Sequence, residues 1–334
     1  MPLITPDNNI WKSLAVKYPN DFYCLPEYAS LEAEHIKGKP LAWYFKKNDS
    51  EMLFPLIDRE IPNIKKHDLI SPYGYTGFCG NNINKDFFSE AIENFNKEAC
   101  NNNYFTSFVR LHPFNNCVKN FEPNKYIVKR DDIAYIPLNK SLETIQKGFS
   151  KNHKRNINKL LSDNYSVKHN DYSFFDDFYK SYIRTMERNK AKSYYFFQSS
   201  YFTKLISILG DKMHFISVHS PEGKYVSGGL FSVFNNNMQY LFGGTEDDYV
   251  KNSPSKLMIH YAIILGKKLK AEYLCLGGGV DNSSEDGLFK FKLGFGSICQ
   301  PFYTLHLIHK PEEYAKLDIE GDDFFPKYRR RGRY

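Results

Sequence analysis

Three carboxylates in succession, Glu246, Asp247 and Asp248, stand shortly before a helix start marked by Ser253-Pro254. Such a group suits an ammonium, and Glu246 or Asp248 is placed to orient an attacking amine or relay its proton. The same residues also describe a solvated acidic turn. The helix start is a second candidate, because its first N–H groups are unpaired donors at the positive end of a dipole. Its approach, residues 249–254, contains no glycine, so it suits a single phosphate better than a pyrophosphate.

Residues 281–296, DNSSEDGLFKFKLGFG, follow the run Gly277-Gly278-Gly279. On a helix, positions 288, 291, 292 and 295 share a face, so Lys292 projects from an apolar surface shared with Phe291 and Phe295. An ammonium placed so can stabilise a developing oxyanion or a bound phosphate. The alternative is a lysine that lays its stem over core aromatics. Residues 150–161 carry Lys151, His153, Lys154, Arg155 and Lys159, which either contact phosphates of a nucleotide or RNA or form a solvated face. Tyr73 and Tyr75 lie in the turn-rich stretch SPYGYTGF, and Arg110 and His112 alternate with apolar residues in FVRLHP.

Other chemistries lack their residues. No G-x-S-x-G, Walker loop or G-x-G-x-x-G opening a helix is present. The six cysteines (Cys24, Cys79, Cys100, Cys117, Cys275 and Cys299) form no C-x-x-C, and the ten histidines form no H-x-x-x-H. Buried free thiols are expected, with no zinc site, no disulfide framework and no metal.

The elements that must position these residues repeat in order. Residues 41–46 and 52–61 read as a hairpin, a third short strand begins at Leu69, and Phe87, Ala91, Phe95 and Ala99 recur every four residues as a helix. A strand at 105–111 follows. In the second half, 214–219 and 225–234 flank the turn Pro221-Glu222-Gly223, and 239–242 is a third strand. A helix then opens with Ser253 as cap and Pro254 at its first position, with Leu257, Tyr261, Ile264 and Leu265 as its apolar stripe. Residues 273–276 close the unit as a buried strand. Each half thus reads strand, strand, strand, helix, strand, and their junction is where a cleft is expected. Residues 141–161 form a helical connector, 174–209 add further helices, and the basic residues after about 310 read as a loosely packed tail.

The chain of 334 residues, 42% hydrophobic and 16% aromatic, is long enough for two cores and too apolar for disorder. The net charge of +7 permits a phosphate-bearing partner without requiring one. No apolar run reaches the ~18–20 residues of a membrane span. The first twenty residues lack the features of a signal peptide, so a cytoplasmic location is the expectation.

Taken in order, SPYGYTG at 71–77, VRLHP at 109–113, KRNI at 154–157, GGT at 243–245, LGGG at 276–279 and FKLGFG at 291–296 resemble the FemABX-like transferases. The resemblance spans roughly residues 20–310. No heptad run exists, so it is to the type without a coiled-coil arm. It implies an α+β chain of two tandem GNAT-like domains, mixed sheets flanked by helices, at 1–140 and 141–310, with a basic tail at 311–334. It also implies transfer of an aminoacyl or acyl group to an amine of a cell-envelope precursor, a muropeptide or an amino sugar. No cofactor is tightly bound; the donor is aminoacyl-tRNA or, as an alternative, acetyl-coenzyme A acting on an amino sugar of a surface polysaccharide. Lys292 falls on the family lysine, which by the resemblance stabilises the oxyanion of the transferring acyl ester or a neighbouring phosphate. Arg110 and His112 fall at substrate-contacting positions, and Tyr249 in the loop lining the acceptor groove. Tyr73, Tyr75, Arg155 and Phe291 complete the expected binding set, with Glu246 and Asp248 beside Lys292 as the catalytic set. A non-catalytic module that only holds a glycan or peptide is the remaining alternative.

Overall fold

The computed structural model describes residues 3–18, 21–62, 64–114, 126–280, 286–317 and 324–329. Cys117, the segment 281–285 and the last basic residues, 330–334, lie outside them.

In chain order the elements are β1 (Leu3–Ile4), α1 (Asn9–Lys17), α2 (Pro26–His35), β2 (Lys39–Lys47), β3 (Ser50–Glu60), β4 (His67–Ile70) and β5 (Cys79–Asn81). Next come α3 (Lys85–Asn101), β6 (Tyr104–Arg110), β7 (Ile127–Pro137), α4 (Leu142–Lys147), α5 (Lys151–Ser162) and β8 (Ser166–His169). The chain continues through α6 (Phe175–Arg188), α7 (Ser199–Leu209), β9 (Met213–His219), β10 (Tyr225–Phe234) and β11 (Asn237–Thr245). It ends with α8 (Ser255–Lys268), β12 (Tyr273–Gly277), α9 (Gly287–Leu293), β13 (Ile298–Ile308) and α10 (Pro311–Ala315).

Two compact units result, Met1–Arg130 with Pro301–Tyr334, and Asp131–Gln300. In the first, strands lie in the order β1-β2-β3-β4-β6-β13, with β5 also on β3. Among the described residues only β4 and β6 are parallel; the other pairs run antiparallel. In the second, the order is β8-β9-β10-β11-β12-β7, and among the described residues only β11 and β12 are parallel. The repeat read from the sequence is thus a repeat of topology: β2-β3-β4-α3-β6 in one unit and β9-β10-β11-α8-β12 in the other.

Local chemistry explains the hairpins. Lys47 pairs with Ser50 across Asn48, which takes the left-handed φ of 52° that asparagine tolerates. Phe234 pairs with Asn237 across Asn235 and Asn236, both at positive φ, as a two-residue turn matching strand twist requires. In the first unit Phe87, Ala91, Phe95 and Ala99 of α3 bury against Trp43 and Phe54 as their spacing predicts. In the second, α8 covers Phe231, Met238 and Leu274.

Some expectations are corrected. The buried face of α8 is Leu257, Met258, Ile259, Ala262, Ile263 and Leu265, whereas Ile264 is 38% exposed. This helix is apolar nearly all round, so periodicity left its phase open. Ser253 does not cap it: Ser253 sits in the left-handed region, Pro254 is the cap residue, and no side chain caps the end.

The unit boundaries fall at 130/131 and 300/301, not at 140/141 and 310/311, because β7 and β13 each cross a boundary. Nor does the described part of the tail pack loosely. Arg329, 4% exposed, makes two hydrogen bonds of 3.0 Å to Asp68, and Tyr328 donates a third. Arg59 holds the same carboxylate at 3.0 and 3.2 Å. A buried carboxylate between two guanidiniums ties the end of the chain to β3 and β4. Among the described residues no helix is long and apolar enough to cross a membrane.

Candidate functional site

Within the second unit, β11 and β12 pair only at Asn237–Tyr273, Met238–Leu274 and Gln239–Cys275, and then part. On β11 the register with β10 slips between Leu230 and Phe231, leaving Leu241 unmatched. On β12 the register with β7 slips between Cys275 and Gly277, and Gly277 takes a φ of 76°. A bulge bends its strand and sharpens the twist, so one bulge on each strand opens the pair. Residues 240–244 keep an edge with no partner strand among the described residues. Main-chain groups along such an edge can hold an extended ligand.

The first unit handles the matching place differently. Its β4 pairs with β6 as far as Ile70 and Phe108. The next residues then stay bonded to β6: the Ser71 N–H donates to the Phe108 carbonyl at 2.9 Å, and the Arg110 N–H to Ser71 Oγ at 3.0 Å. The Gly77 N–H donates to the Arg110 carbonyl at 2.7 Å. Gly77 has a φ of 56°, and a Cβ there would lie 2.9 Å from the His112 nitrogen. SPYGYTG is therefore the plug of one strand pair, and the second unit carries the open one.

Lys292 stands just past the end of β12. Its Nζ donates to the Gly278 carbonyl at 2.5 Å, and the residue is 7% exposed. Burial pushes the amine down to about 8, with Cys275 and Asp286 pulling the other way. The proton therefore stays on at neutral pH, and a cation is held where apolar surroundings strengthen its field. Lys292 and Phe295 are buried and Phe291 is half-buried, whereas Leu288, expected on the same face, is 40% exposed. Asp286 shapes both ends of this arrangement. One carboxylate oxygen accepts from the Leu288 and Phe289 N–H groups at the start of α9, the other from the Val280 N–H. That role escaped the sequence reading, although an Asp directly before Gly287 and an apolar run is a cap signal.

The three carboxylates lie past the end of β11. Glu246 accepts two hydrogen bonds from Arg184, at 2.6 and 2.7 Å, and Asp247 pairs with Arg188. Burial raises the Glu246 carboxyl above its usual value, with Arg184 opposing. Asp248 is exposed. Neither arginine was predicted; they come from α6, about sixty residues away, which no local pattern reveals. Tyr249 is half-buried against the core of the unit, as is Phe291 on α9.

Helix α5 divides cleanly. His153, Ile157 and Leu160 are buried, and Lys151, Lys154, Arg155 and Lys159 are exposed. At the start of α8, Lys256 is 7% exposed and donates to Asn152 Oδ1 at 2.6 Å. Burial depresses its amine, and the charge of Arg155 adds to this. Two cations thus stand near an uncapped helix start.

In the first unit, the Arg110 guanidinium lies 5.8 Å from the Tyr73 ring centre and 5.0 Å from that of Phe108. The Tyr73 N–H donates to buried Glu32. Tyr75 meets Tyr23 and Phe302 edge-on. His112 is 2% exposed and lies 3.4 Å from the equally buried Asp21. Enclosed in this way it stabilises the loop that carries it, and it offers no surface to a substrate. The structure therefore brings Tyr73 and Arg110 together in this unit, and places Lys292, Phe291, Glu246, Asp248, Tyr249 and Arg155 in the other.

A cavity of about 360 Å³ in the second unit is lined by α4, α5 and His260, and touches none of Lys292, Glu246 or β11. Among the described residues no group of three or more metal-binding side chains converges.

Residues 214–304, from β9 into β13, match the model of the FemAB family. No curated protein matches the chain. Among solved structures, the crystal structure of FemX is 14% identical with a TM-score of 0.71, covering 95% of this chain and 100% of that one. L-PGS from Bacillus licheniformis is 13% identical with a TM-score of 0.55, covering 92% and 93%. The C-terminal domain (DUF2156) of a putative lysylphosphatidylglycerol synthetase from Agrobacterium fabrum is 10% identical with a TM-score of 0.54, covering 86% and 88%. At these identities the structural likeness is one of fold.

Proposed function

We propose that this chain, FemABX-like and of the acyl- or aminoacyltransferase class, moves an aminoacyl group from aminoacyl-tRNA to an amine of a cell-envelope precursor. The observation that carries the reading is the open β11–β12 pair with a buried ammonium at its mouth. The donor's aminoacyl ester lies against the free edge of residues 240–244, where main-chain groups hold its amine and aim its carbonyl towards the end of β12. A neutral amine attacks the carbonyl carbon, the carbon–oxygen double bond opens, and the oxyanion forms near Lys292. The carbonyl re-forms as the ester oxygen leaves, and the proton lost by the amine ends on that oxygen. Positioning and a fixed positive charge supply the rate; no nucleophilic side chain is needed.

Glu246 is held by Arg184, so it acts as an oriented anion for the incoming ammonium or amine, with Asp248 as the freer carboxylate. Phosphates of the donor fit the start of α8 beside Lys256 and Arg155. In the first unit, the Arg110 guanidinium beside the Tyr73 ring suits an anionic group.

The test is transfer from a panel of aminoacyl-tRNAs, beside acetyl-coenzyme A, to muropeptide and amino-sugar acceptors, in wild type and Lys292→Met. Transfer from aminoacyl-tRNA that collapses in Lys292→Met supports the reading. Transfer from acetyl-coenzyme A alone replaces the donor. Saturable binding of an acceptor with no transfer from either donor refutes catalysis and leaves the binding module.

A further inference from the structure

Of the basic side chains in residues 150–161, His153 alone is buried. His153 lies under the end of α9, the helix that carries Lys292. Its Nε2 is 3.0 Å from the Phe291 carbonyl, and its Nδ1 is 3.0 Å from Ser150 Oγ. A carbonyl only accepts, so Nε2 carries the proton and Nδ1 accepts from the Ser150 hydroxyl. Ser150 in turn caps α5 by accepting from the His153 N–H. The imidazole meets the Phe295 ring edge-on at 4.5 Å.

The backbone of the same turn grips α9 as well. The Ser150 N–H donates to the Gly294 carbonyl at 2.8 Å. Both glycines of the FKLGFG stretch are needed for this approach. A Cβ at Gly294 would lie 2.2 to 2.7 Å from three atoms of the His153 ring, and one at Gly296 would strike the backbone of Gly148 at 2.7 Å. Lys292 itself is fixed to the Gly278 carbonyl.

We infer that residues 148–153 form a clamp on the last turn of α9, and that His153 is the positioning residue that holds Lys292 over the end of β12. The importance of Lys292 for transfer rests on the function proposed above; the clamp itself rests on geometry alone. His153 touches no reacting atom and acts through the Phe291 carbonyl, one residue before the lysine. The same contacts account for the spacing of the motif, since aromatic residues at 291 and 295 wall the imidazole and glycine at 294 admits it. The ionisable groups facing this region are Cys275 of β12, Asp286 before α9 and Lys256 of α8.

The experiment follows the titration of Lys292 in the full chain labelled with ¹³C-lysine, its resonance assigned by its loss in Lys292→Met. His153→Leu removes the donor to Phe291 and should move the Lys292 midpoint upward, towards the ordinary lysine range, as the freed turn admits water. His153→Gln, whose amide can still donate to that carbonyl, should restore most of the wild-type midpoint. Ile157→Ala, a buried change on the same helix, should lower stability and leave the midpoint in place. Gly294→Ala, which expels the imidazole without removing it, serves if His153→Leu does not fold. An unchanged Lys292 midpoint in a folded His153→Leu or Gly294→Ala overturns the clamp, as does an Nδ1-protonated His153 in the ¹⁵N spectrum of wild type. Transfer unaffected by Lys292→Met would overturn the function of the lysine and leave these titrations standing.

Discussion

Lys292→Met separates a residue kept for chemistry from one kept for stability. The side chain is buried, and its amine falls from 10.5 to about 8 chiefly through desolvation. At about 1.4 kcal/mol for each unit, holding the ammonium in the folded chain at neutral pH costs about 3 kcal/mol relative to the amine. Methionine keeps much of the stem's volume and carries no charge. It gives up the hydrogen bond to the Gly278 carbonyl, worth about 1.5–3 kcal/mol for a charged donor. The two effects nearly offset, so the variant should equal wild type or exceed it by up to ~2 kcal/mol at pH 7. Transfer should fall at least ~100-fold, as when a fixed donor to an oxyanion is removed.

The pH dependence has a definite sign. Between pH 8 and 10.5 the unfolded chain holds the lysine proton and the folded chain does not, so wild-type stability gains from this group as pH rises. The advantage of the methionine variant should therefore shrink across that window. Urea unfolding midpoints at pH 7 and pH 9.5, with the slope checked for constancy, give both quantities. A variant less stable than wild type by more than ~2 kcal/mol at pH 7, with a difference insensitive to pH, would refute the desolvation argument.

Three further outcomes follow from the geometry. Gly77→Ala forces a Cβ into a left-handed residue 2.9 Å from the His112 nitrogen, and should cost about 1–3 kcal/mol in urea unfolding. Asp68→Asn leaves Arg59 and Arg329 buried without their shared carboxylate, and should cost about 3–5 kcal/mol by the same measurement. His309 is driven from 6.5 down to about 3, first by burial and then by Lys310. The unfolded chain therefore binds the extra proton between those values, and stability should fall as pH drops through them. His309→Asn should flatten the acid limb of a plot of unfolding midpoint against pH.

Much of the fold was legible locally. Hairpins announce themselves by β-rich runs around Asn turns, and α3 by an apolar residue every fourth position, because both signals arise within one element. Helix α8 shows where that reasoning fails: apolar nearly all round, it kept its buried face undetermined until the sheet beneath selected it. The tail fails for another reason. Nothing near Tyr328 and Arg329 in the chain announces that Asp68, 261 residues from Arg329, will claim them.

The site divides along the same line. The sequence by itself determined the repeated order of elements, through local strand, turn and helix patterns, and the lysine set between aromatics and glycines, through spacing along one helix. It also placed three carboxylates past the end of a strand. Only the tertiary structure decided which strand pair opens. β4 and β11 stand in the same order in their units, yet Ser71 and Gly77 bond back to β6 while bulges at Leu241 and Leu276 part β11 from β12. It likewise enclosed His112, placed Arg184 on Glu246 and turned His153 under α9. Each of these depends on pairing between segments tens to hundreds of residues apart, where the partner is selected by register and burial and leaves no periodic trace in the chain.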